Sequence, residues 1–273
     1  MAARLCYTYF VPTSAFVRRA VLLLCAIVVL ALSLRAGAGR PMPVLVELFT
    51  SEGCSSCPAA DKLLQTLIES QPVAGADIIG LGLHVDYWDQ LGWKDRFSSA
   101  ALTNRQQGYG RNFRIDAIYT PQMVVDGRQE FVGSDANVAR RAIGKAMSAP
   151  HGVLSIALEP AVNDRVAVTV NASELPALSR GDHADIVLAV TESQLRSDVR
   201  GGENRGRLLT HAAVVRQLTM IDEAASPQSA ARFDVTMAPA WQRDHLTIVA
   251  FVQERSSRRV LGAAAMPLQS APR

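Results

Sequence analysis

The sequence places two cysteines, Cys54 and Cys57, between a strand and a helix. Residues 44–50 form a short apolar run of strand length, and a polar turn that contains glycine follows it. Beyond the cysteines, apolar residues recur at helical spacing: Ala60, Leu63, Leu64, Leu67 and Ile68. The positive end of a helix dipole favours a thiolate over a thiol. The pattern therefore predicts a redox-active C-x-x-C in which Cys54 attacks and the more shielded Cys57 resolves.

The first forty residues have the layout of an export signal. Two arginines precede an uninterrupted apolar run over 20–32, and Ala-Gly-Ala follows at 36–38. A bilayer span takes about 20 residues, so this run is short for a retained membrane anchor, which is the alternative. It predicts a signal peptide over 1–38. We therefore expect a periplasmic or secreted protein with no stable membrane anchor after cleavage.

Export leaves one cysteine pair in the mature chain, because Cys6 and Cys25 leave with the signal peptide. A bridge between Cys54 and Cys57 closes too small a loop to stabilise the fold by much, so the pair indicates chemistry. An oxidising compartment favours a disulfide as its resting state. We expect a protein or small thiol or disulfide substrate and no cofactor. The net charge of +3 falls to −1 without the four arginines of the signal peptide, so nothing indicates a nucleic acid partner.

The length of 273 residues suits two modules after export. The first module, 42–150, continues with a predicted strand over 77–88. Its next clear signal is a hairpin with an Asp-Gly turn at 126–127, followed by a helix that begins at Ser134 or Asp135.

The second module, 151–273, contains alternating apolar runs separated by polar turns with Gly or Pro. We expect about five or six mostly antiparallel strands that form a small sandwich. A charged, Gly-rich segment over 201–207 lacks the features of a phosphate-binding loop. It predicts a polar turn at the interface between the modules.

Four longer motifs are present: V-E-L-F-T-S-E-G-C-S-S-C-P-A-A-D, H-V-D-Y-W-D-Q-L-G-W-K-D, Y-T-P-Q-M-V-V-D-G and G-E-N-R-G-R-L-L-T-H. They resemble a family of exported bacterial proteins described as domain of unknown function 1223, over nearly the whole mature chain. The order of elements over 42–149 also resembles the thioredoxin superfamily. The resemblance implies an α/β thioredoxin-like domain followed by a mostly antiparallel, sandwich-like β domain.

The thioredoxin resemblance implies roles for residues outside the cysteine pair. It implies that Thr120 and Pro121 are joined by a cis bond opposite the cysteines and border a substrate groove. The residues themselves give two alternatives for Trp88 and Trp93, which either form a lid or recognition surface beside the cysteines or pack against the second module. Glu47 lies one residue from the buried acid of thioredoxins, and is a candidate proton relay or a partner in a surface or inter-domain salt bridge. The Ser55-Ser56 dipeptide differs from the Gly-Pro of thioredoxins, so the direction of electron transfer stays open.

The residues support three functions. The first is a thiol–disulfide oxidoreductase that uses Cys54 and Cys57. The second is a protein that binds copper or another thiophilic metal through these cysteines and His84, although a closed metal site needs more soft ligands than this chain offers nearby. The third is a non-catalytic interaction protein in which the β module binds a partner.

Overall fold

An eight-stranded sheet forms the centre of the computed structural model, which describes residues 40–162, 164–225 and 227–268. The helices are α1 (Cys57–Ser70), α2 (Ala100–Phe113) and α3 (Ala136–Ala146), with short 3-10 helices at Asp89–Leu91 and Arg243–His245. The strands are β1 (Met42–Thr50), β2 (Ala76–His84), β3 (Gln122–Val125), β4 (Gln129–Val132), β5 (Val153–Leu158), β6 (Arg165–Ser173), β7 (Ala184–Glu192), β8 (Leu195–Asp198), β9 (Leu208–His211), β10 (Val214–Ala224), β11 (Ser229–Thr236), β12 (Leu246–Glu254) and β13 (Val260–Pro267). The predicted signal peptide lies outside the described residues. Within those ranges, no helix is long and apolar enough to cross a membrane.

The strand order of the large sheet is β13-β12-β7-β10-β2-β1-β3-β4. β1 and β2 are parallel, whereas β3 is antiparallel to both β1 and β4. β10 joins β2 where Val214 pairs with Gly82, and the Gly82 N–H donates to the Ala213 carbonyl at 2.7 Å. A Cβ at residue 82 would lie 3.2 Å from the Ala212 carbonyl oxygen, so glycine permits this close approach. The sheet thus contains strands from both sides of residue 150.

The helices α1 and α3 cover one face of β1, β2 and β3. Ala60, Leu64 and Leu67 are buried there, as their helical spacing predicts. α3 follows Asp135, whose carboxylate accepts hydrogen bonds from two N–H groups of the first helical turn. α1 begins at Cys57, so Cys54 lies in the turn before the helix.

The helix α2 and strands of the second module cover the opposite face. The rings of Phe49 and Tyr109 meet edge to face with centroids 5.9 Å apart, and Phe251 of β12 is buried in the same core. The predicted boundary at residue 150 lies between α3 and β5, yet this core and the large sheet both cross it. A single compact unit begins at Met42. The predicted division therefore describes the order of elements along the chain, and the two modules are not packed separately.

The second module contains nine strands, more than the alternating runs predict. The sheet β11-β6-β5 packs against β7 and β12, with Val168, Leu188 and Ile248 fully buried between the layers. This packing is sandwich-like, but one of its layers continues into the eight-stranded sheet. Two of the additional strands, β8 and β9, have only four residues each, too few for a visible alternation.

The predicted strand over 77–88 is too long, since β2 ends at His84. The chain leaves the sheet where Asp86 binds the side chain of Thr103 on α2, with the Thr103 hydroxyl donating to the Asp86 carboxylate at 2.6 Å. A polar contact with α2 thus replaces the continuation of the strand.

Glu47 of β1 is fully buried on the face covered by α2. Its two oxygens accept from Arg105 Nε at 2.6 Å and Arg105 Nη2 at 3.0 Å, and the Tyr109 hydroxyl also donates to it. Gln253 of β12 in turn donates to the Tyr109 hydroxyl at 2.8 Å. Glu47 therefore forms an ion pair, but this pair is buried and lies within the first module, not at the surface or between the modules as predicted.

We expect Glu47→Gln to lower the free energy of unfolding by about 3 kcal/mol, because the change leaves the buried Arg105 guanidinium without its counter-charge. Urea denaturation of the mature protein measures this effect. Asp77→Asn removes an exposed carboxylate from β2 and is the matched control. Equal stability of the two variants would show that the buried ion pair contributes nothing.

Candidate functional site

Cys54 and Cys57 form a disulfide with their Cα atoms 5.4 Å apart. The bond lies between the end of β1 and the first residue of α1. Cys54 is 1% exposed and Cys57 is 0% exposed, whereas Ser55 and Ser56 between them are exposed. The cysteines are thus paired as predicted, but a reactant reaches them only if some of the covering residues move.

We call residues 51–57 the cysteine loop. Thr120 and Pro121 lie beside this loop and are joined by a cis peptide bond. The pairing of Phe49 with Gln122 places Pro121 next to the end of β1. Trp88 Nε1 donates to Thr120 Oγ1 at 2.8 Å. A Cβ at Gly53 would lie 3.1 Å from Trp88 Cβ, so the tryptophan also packs directly on the residue before Cys54. The structure therefore brings the three predicted groove residues to one end of the sheet.

Side chains in a loop of the second module, residues 199–207, bind backbone groups of the cysteine loop. Asn204 is fully buried, and its Nδ2 donates to the carbonyl oxygens of Glu52 at 2.9 Å and Cys54 at 2.8 Å. The Glu203 carboxylate accepts from the backbone N–H of Ser55 at 2.9 Å. We call residues 199–207 the clamp loop. The clamp loop contains the polar turn predicted over 201–207 at the interface between the modules. Its contact with the C-x-x-C was not predicted.

The aromatic stretch after β2 lies against the clamp loop. A Cβ at Gly201 would lie only 2.1 Å from the Gly92 carbonyl oxygen, so the two backbones touch at glycines. Trp93 Nε1 donates to Glu52 Oε2 at 2.7 Å. Trp93 thus packs toward the second module, which is one of the two predicted alternatives. Trp88 instead borders the cysteine loop, which is the other alternative.

Five charged or titratable side chains are buried beneath the cysteine loop: Glu52, Asp61, His84, Asp95 and His211. His211 of β9 lies between two carboxylates, with Nε2 3.4 Å from Glu52 Oε1 and Nδ1 3.5 Å from Asp61 Oδ2. His84 Nδ1 is 2.6 Å from Asp95 Oδ2, and the two histidine rings meet edge to face at 4.9 Å. Asp95 is also buried, although aspartate is seldom buried without a partner.

The two carboxylates determine the charge of His211. Burial by itself lowers the pKa of His211, but Asp61 and Glu52 outweigh that effect and raise the pKa to about 9. Burial conversely raises the pKa of Glu52, and the interaction with His211 together with the hydrogen bond that Trp93 donates brings it below the usual range. At neutral pH the cluster therefore holds an imidazolium between two carboxylates.

His84 is not brought to the cysteines as a ligand. Its Nδ1 is bound to Asp95, and its ring contacts Phe97 and His211. In the described ranges, no three His, Cys, Asp or Glu side chains are arranged to hold a metal ion. Glu47 also lies elsewhere, bound to Arg105 and Tyr109.

The sequence does not identify several residues of this site, which are Glu52, Asp61, Asp95, Glu203, Asn204 and His211. Asn204 lies 150 residues from Cys54 along the chain, so no local spacing connects the two. The only sequence signal for Asn204 and His211 is the motif G-E-N-R-G-R-L-L-T-H, which contains both residues but does not indicate what they contact.

Stability should depend on the protonation of His211. Because its pKa is raised from 6.5 to about 9, its contribution is complete below pH 6.5 and is lost as the pH rises through 9. We expect the free energy of unfolding to fall by a few kcal/mol across this window in the wild type, and by much less in His211→Gln. Urea denaturation at several pH values measures it.

His183→Gln is the matched control, because His183 is exposed and pairs with Glu223 at the surface. It should keep the pH dependence of the wild type. An identical pH dependence in His211→Gln would contradict a charged His211 between the two carboxylates.

Comparison with solved structures finds a chain of similar fold. The crystal structure of a protein from Agrobacterium tumefaciens superimposes with a TM-score of 0.62 at 25% identity, over 84% of this chain and 96% of that one. A domain of the outer membrane lipoprotein Omp28 from Porphyromonas gingivalis gives a TM-score of only 0.29 at 12% identity, over 44% and 88% of the two chains. No curated protein sequence gives a significant match.

A family model identifies the chain directly. It matches residues 45–253, which include the cysteine pair, the aromatic stretch, Thr120-Pro121, the clamp loop and His211. The chain belongs to the family described as protein of unknown function, DUF1223.

Proposed function

We propose that this protein is an exported thiol–disulfide oxidoreductase that acts in the periplasm or outside the cell. The observation that carries the proposal is the position of the Cys54–Cys57 disulfide, between the end of β1 and the start of α1 and next to Thr120 and Pro121. A disulfide across two residues contributes little to stability, so its place at a helix N-terminus is best explained by reactivity. The substrate would be a protein or a small thiol or disulfide.

The arrangement of elements over 42–150 supports a thioredoxin-like domain. The sheet order β2-β1-β3-β4 has a parallel first pair and an antiparallel second pair. The helices α1 and α3 pack on one face and α2 on the other. In this arrangement the cysteines, at the end of β1, and Pro121, before β3, lie at the same edge of the sheet. That edge is where a substrate chain would approach.

The proposed reaction exchanges disulfides in two steps. A substrate thiolate attacks Cys54 Sγ, the bond to Cys57 breaks, and Cys57 leaves with the electron pair as a thiolate and then takes up a proton. A second substrate thiolate attacks the mixed disulfide, which releases the oxidised substrate and leaves Cys54 reduced. The reverse sequence reduces a substrate disulfide by the same groups.

The buried charge cluster offers a route for the proton of Cys57. Asp61 lies four residues after Cys57 on α1, so the two side chains share one helix face. Asp61 also lies 3.5 Å from His211 Nδ1. We propose that the His211 imidazolium supplies this proton by way of Asp61 and takes it back in the reverse reaction. Glu47 is not proposed for this role, because its carboxylate is already bound to Arg105 and Tyr109.

The clamp loop controls access to the disulfide in this proposal. Both cysteines are buried, and Asn204 and Glu203 hold the backbone around them. A substrate reaches Cys54 Sγ when these hydrogen bonds open. Such gating is typical of loops that cover reactive groups.

We expect Cys57→Ser to form a stable mixed disulfide with glutathione at Cys54, because the variant lacks the thiol that resolves it. Mass spectrometry of the mature variant after incubation with glutathione disulfide measures the adduct. Cys54→Ser is the matched control and should form little adduct. Equal adduct formation at both cysteines, or none at either in variants that keep the wild-type unfolding midpoint, would refute the proposed division of roles.

We expect Asn204→Ala to speed the reduction of the Cys54–Cys57 disulfide by dithiothreitol about tenfold, because two hydrogen bonds to the cysteine loop are lost. Stopped-flow or quenched alkylation assays measure the rate. Asn137→Ala changes an exposed asparagine on α3 and should leave the rate unchanged. An unchanged rate in Asn204→Ala would show that the clamp loop does not limit access.

A further inference from the structure

A cavity of about 430 Å³ opens between the end of α2 and the hairpin that joins β12 to β13. It shares no lining residue with the cysteine site. The residues that line it are Gly108, Arg111, Asn112, Arg114, Arg255, Ser256 and Arg258. Four of these residues are arginines and none is acidic, so the cavity has a strongly positive lining.

Among the described residues, three of the four arginines form no ion pair. Arg255 donates to Asp185 at 2.8 Å and to Glu223 at 3.0 Å, outside the cavity. In the ranges that the structure describes, the side chains of Arg111, Arg114 and Arg258 form no hydrogen bond or ion pair. Their donors are therefore free to bind an anion.

Contacts with β12 and α2 fix the position of Arg258. Its backbone adopts a φ of 62°, and its carbonyl accepts from Gln253 Nε2 at 2.8 Å. Its guanidinium lies against α2 at Gly108, where a Cβ would be only 2.6 Å from Arg258 Nη2. Glycine is unfavourable inside a helix. Its presence at residue 108 is explained by this close approach, which leaves no room for a side chain.

Arg258 and Arg111 differ in the electrostatic surroundings of their guanidinium groups. Arg111 lies in the last turn of α2, where the helix dipole favours a positive charge. Arg258 comes from another element and has no such compensation. Burial lowers the pKa of Arg258, and the charges of Arg105 and Arg111 lower it further, although Tyr109 and Glu47 act in the opposite direction. A bound anion would relieve this repulsion.

We propose that this cavity binds a phosphate group. Arg111, Arg114 and Arg258 come from two elements and line one cavity, and a phosphate has enough oxygens to accept from several guanidinium forks at once. The group belongs either to a small soluble phosphate compound or to a phospholipid headgroup. This binding is independent of the proposed chemistry of the cysteines.

The proposal is tested on the mature protein with two probes at low ionic strength, where charged contacts are least screened. Isothermal titration calorimetry measures binding of inorganic pyrophosphate. Co-sedimentation measures binding to phosphatidylglycerol vesicles, with phosphatidylcholine vesicles as the uncharged comparison. Arg111→Gln and Arg258→Gln each remove one cavity charge. Arg141→Gln removes an exposed charge from α3 and is the matched control.

We expect one of the two probes to bind saturably, and the dissociation constant to rise about tenfold in each cavity variant but not in Arg141→Gln. Binding of pyrophosphate identifies a soluble ligand, and binding of phosphatidylglycerol vesicles alone identifies a lipid headgroup. Gly108→Ala should also weaken binding, because the added methyl group displaces the Arg258 guanidinium. No saturable binding of either probe, or an equal loss in Arg141→Gln, would overturn the proposal.

Discussion

The short pairing between β2 and the start of β10 holds the two modules of the chain in one sheet. The Gly82 N–H donates to the Ala213 carbonyl at 2.7 Å, and Val214 pairs with Gly82 in parallel. Without this pairing, the edge of β2 would leave buried backbone groups without partners, which is unfavourable. The strands β7, β12 and β13 are added beyond β10, so the eight-stranded sheet depends on this contact.

The same pairing determines what surrounds the cysteines. His211 precedes Ala213 by two residues, and its ring therefore lies 4.9 Å from the ring of His84 at the end of β2. The clamp loop comes directly before β9, and Asn204 reaches the carbonyl of Cys54 from there. The site is thus assembled from both modules, although each module has a clear pattern of its own along the chain.

Burial of charge explains why these contacts are specific. An isolated buried carboxylate is strongly unfavourable, and pairing with a cation or hydrogen-bond donors offsets much of that cost. Glu47 is paired with Arg105, and Glu52 and Asp61 lie on either side of His211. A shift of β9 by one residue would turn His211 to the other face of its strand and remove the cation from between the two carboxylates. The register of the second module is therefore tied to the charges of the first.

Features with a local signal are predicted well. The helix after Cys57 follows from apolar spacing, the hairpin follows from its Asp-Gly turn, and the disulfide follows from the only cysteine pair outside the predicted signal peptide. Residues with no local signal are missed, because their role depends on contacts between distant segments. Asn204 and His211 are of this kind, and so is Arg258, whose guanidinium lies against a glycine 150 residues earlier in the chain.

The sequence by itself thus determines the type and order of most of the longer elements and the pairing of Cys54 with Cys57, since short-range spacing and composition carry that information. The tertiary structure alone decides that the modules share one sheet, that Asn204 and His211 join the cysteine site, and that Glu47 pairs with Arg105. The physical reason is that edge pairing of strands and neutralisation of buried charge act between residues far apart in the chain.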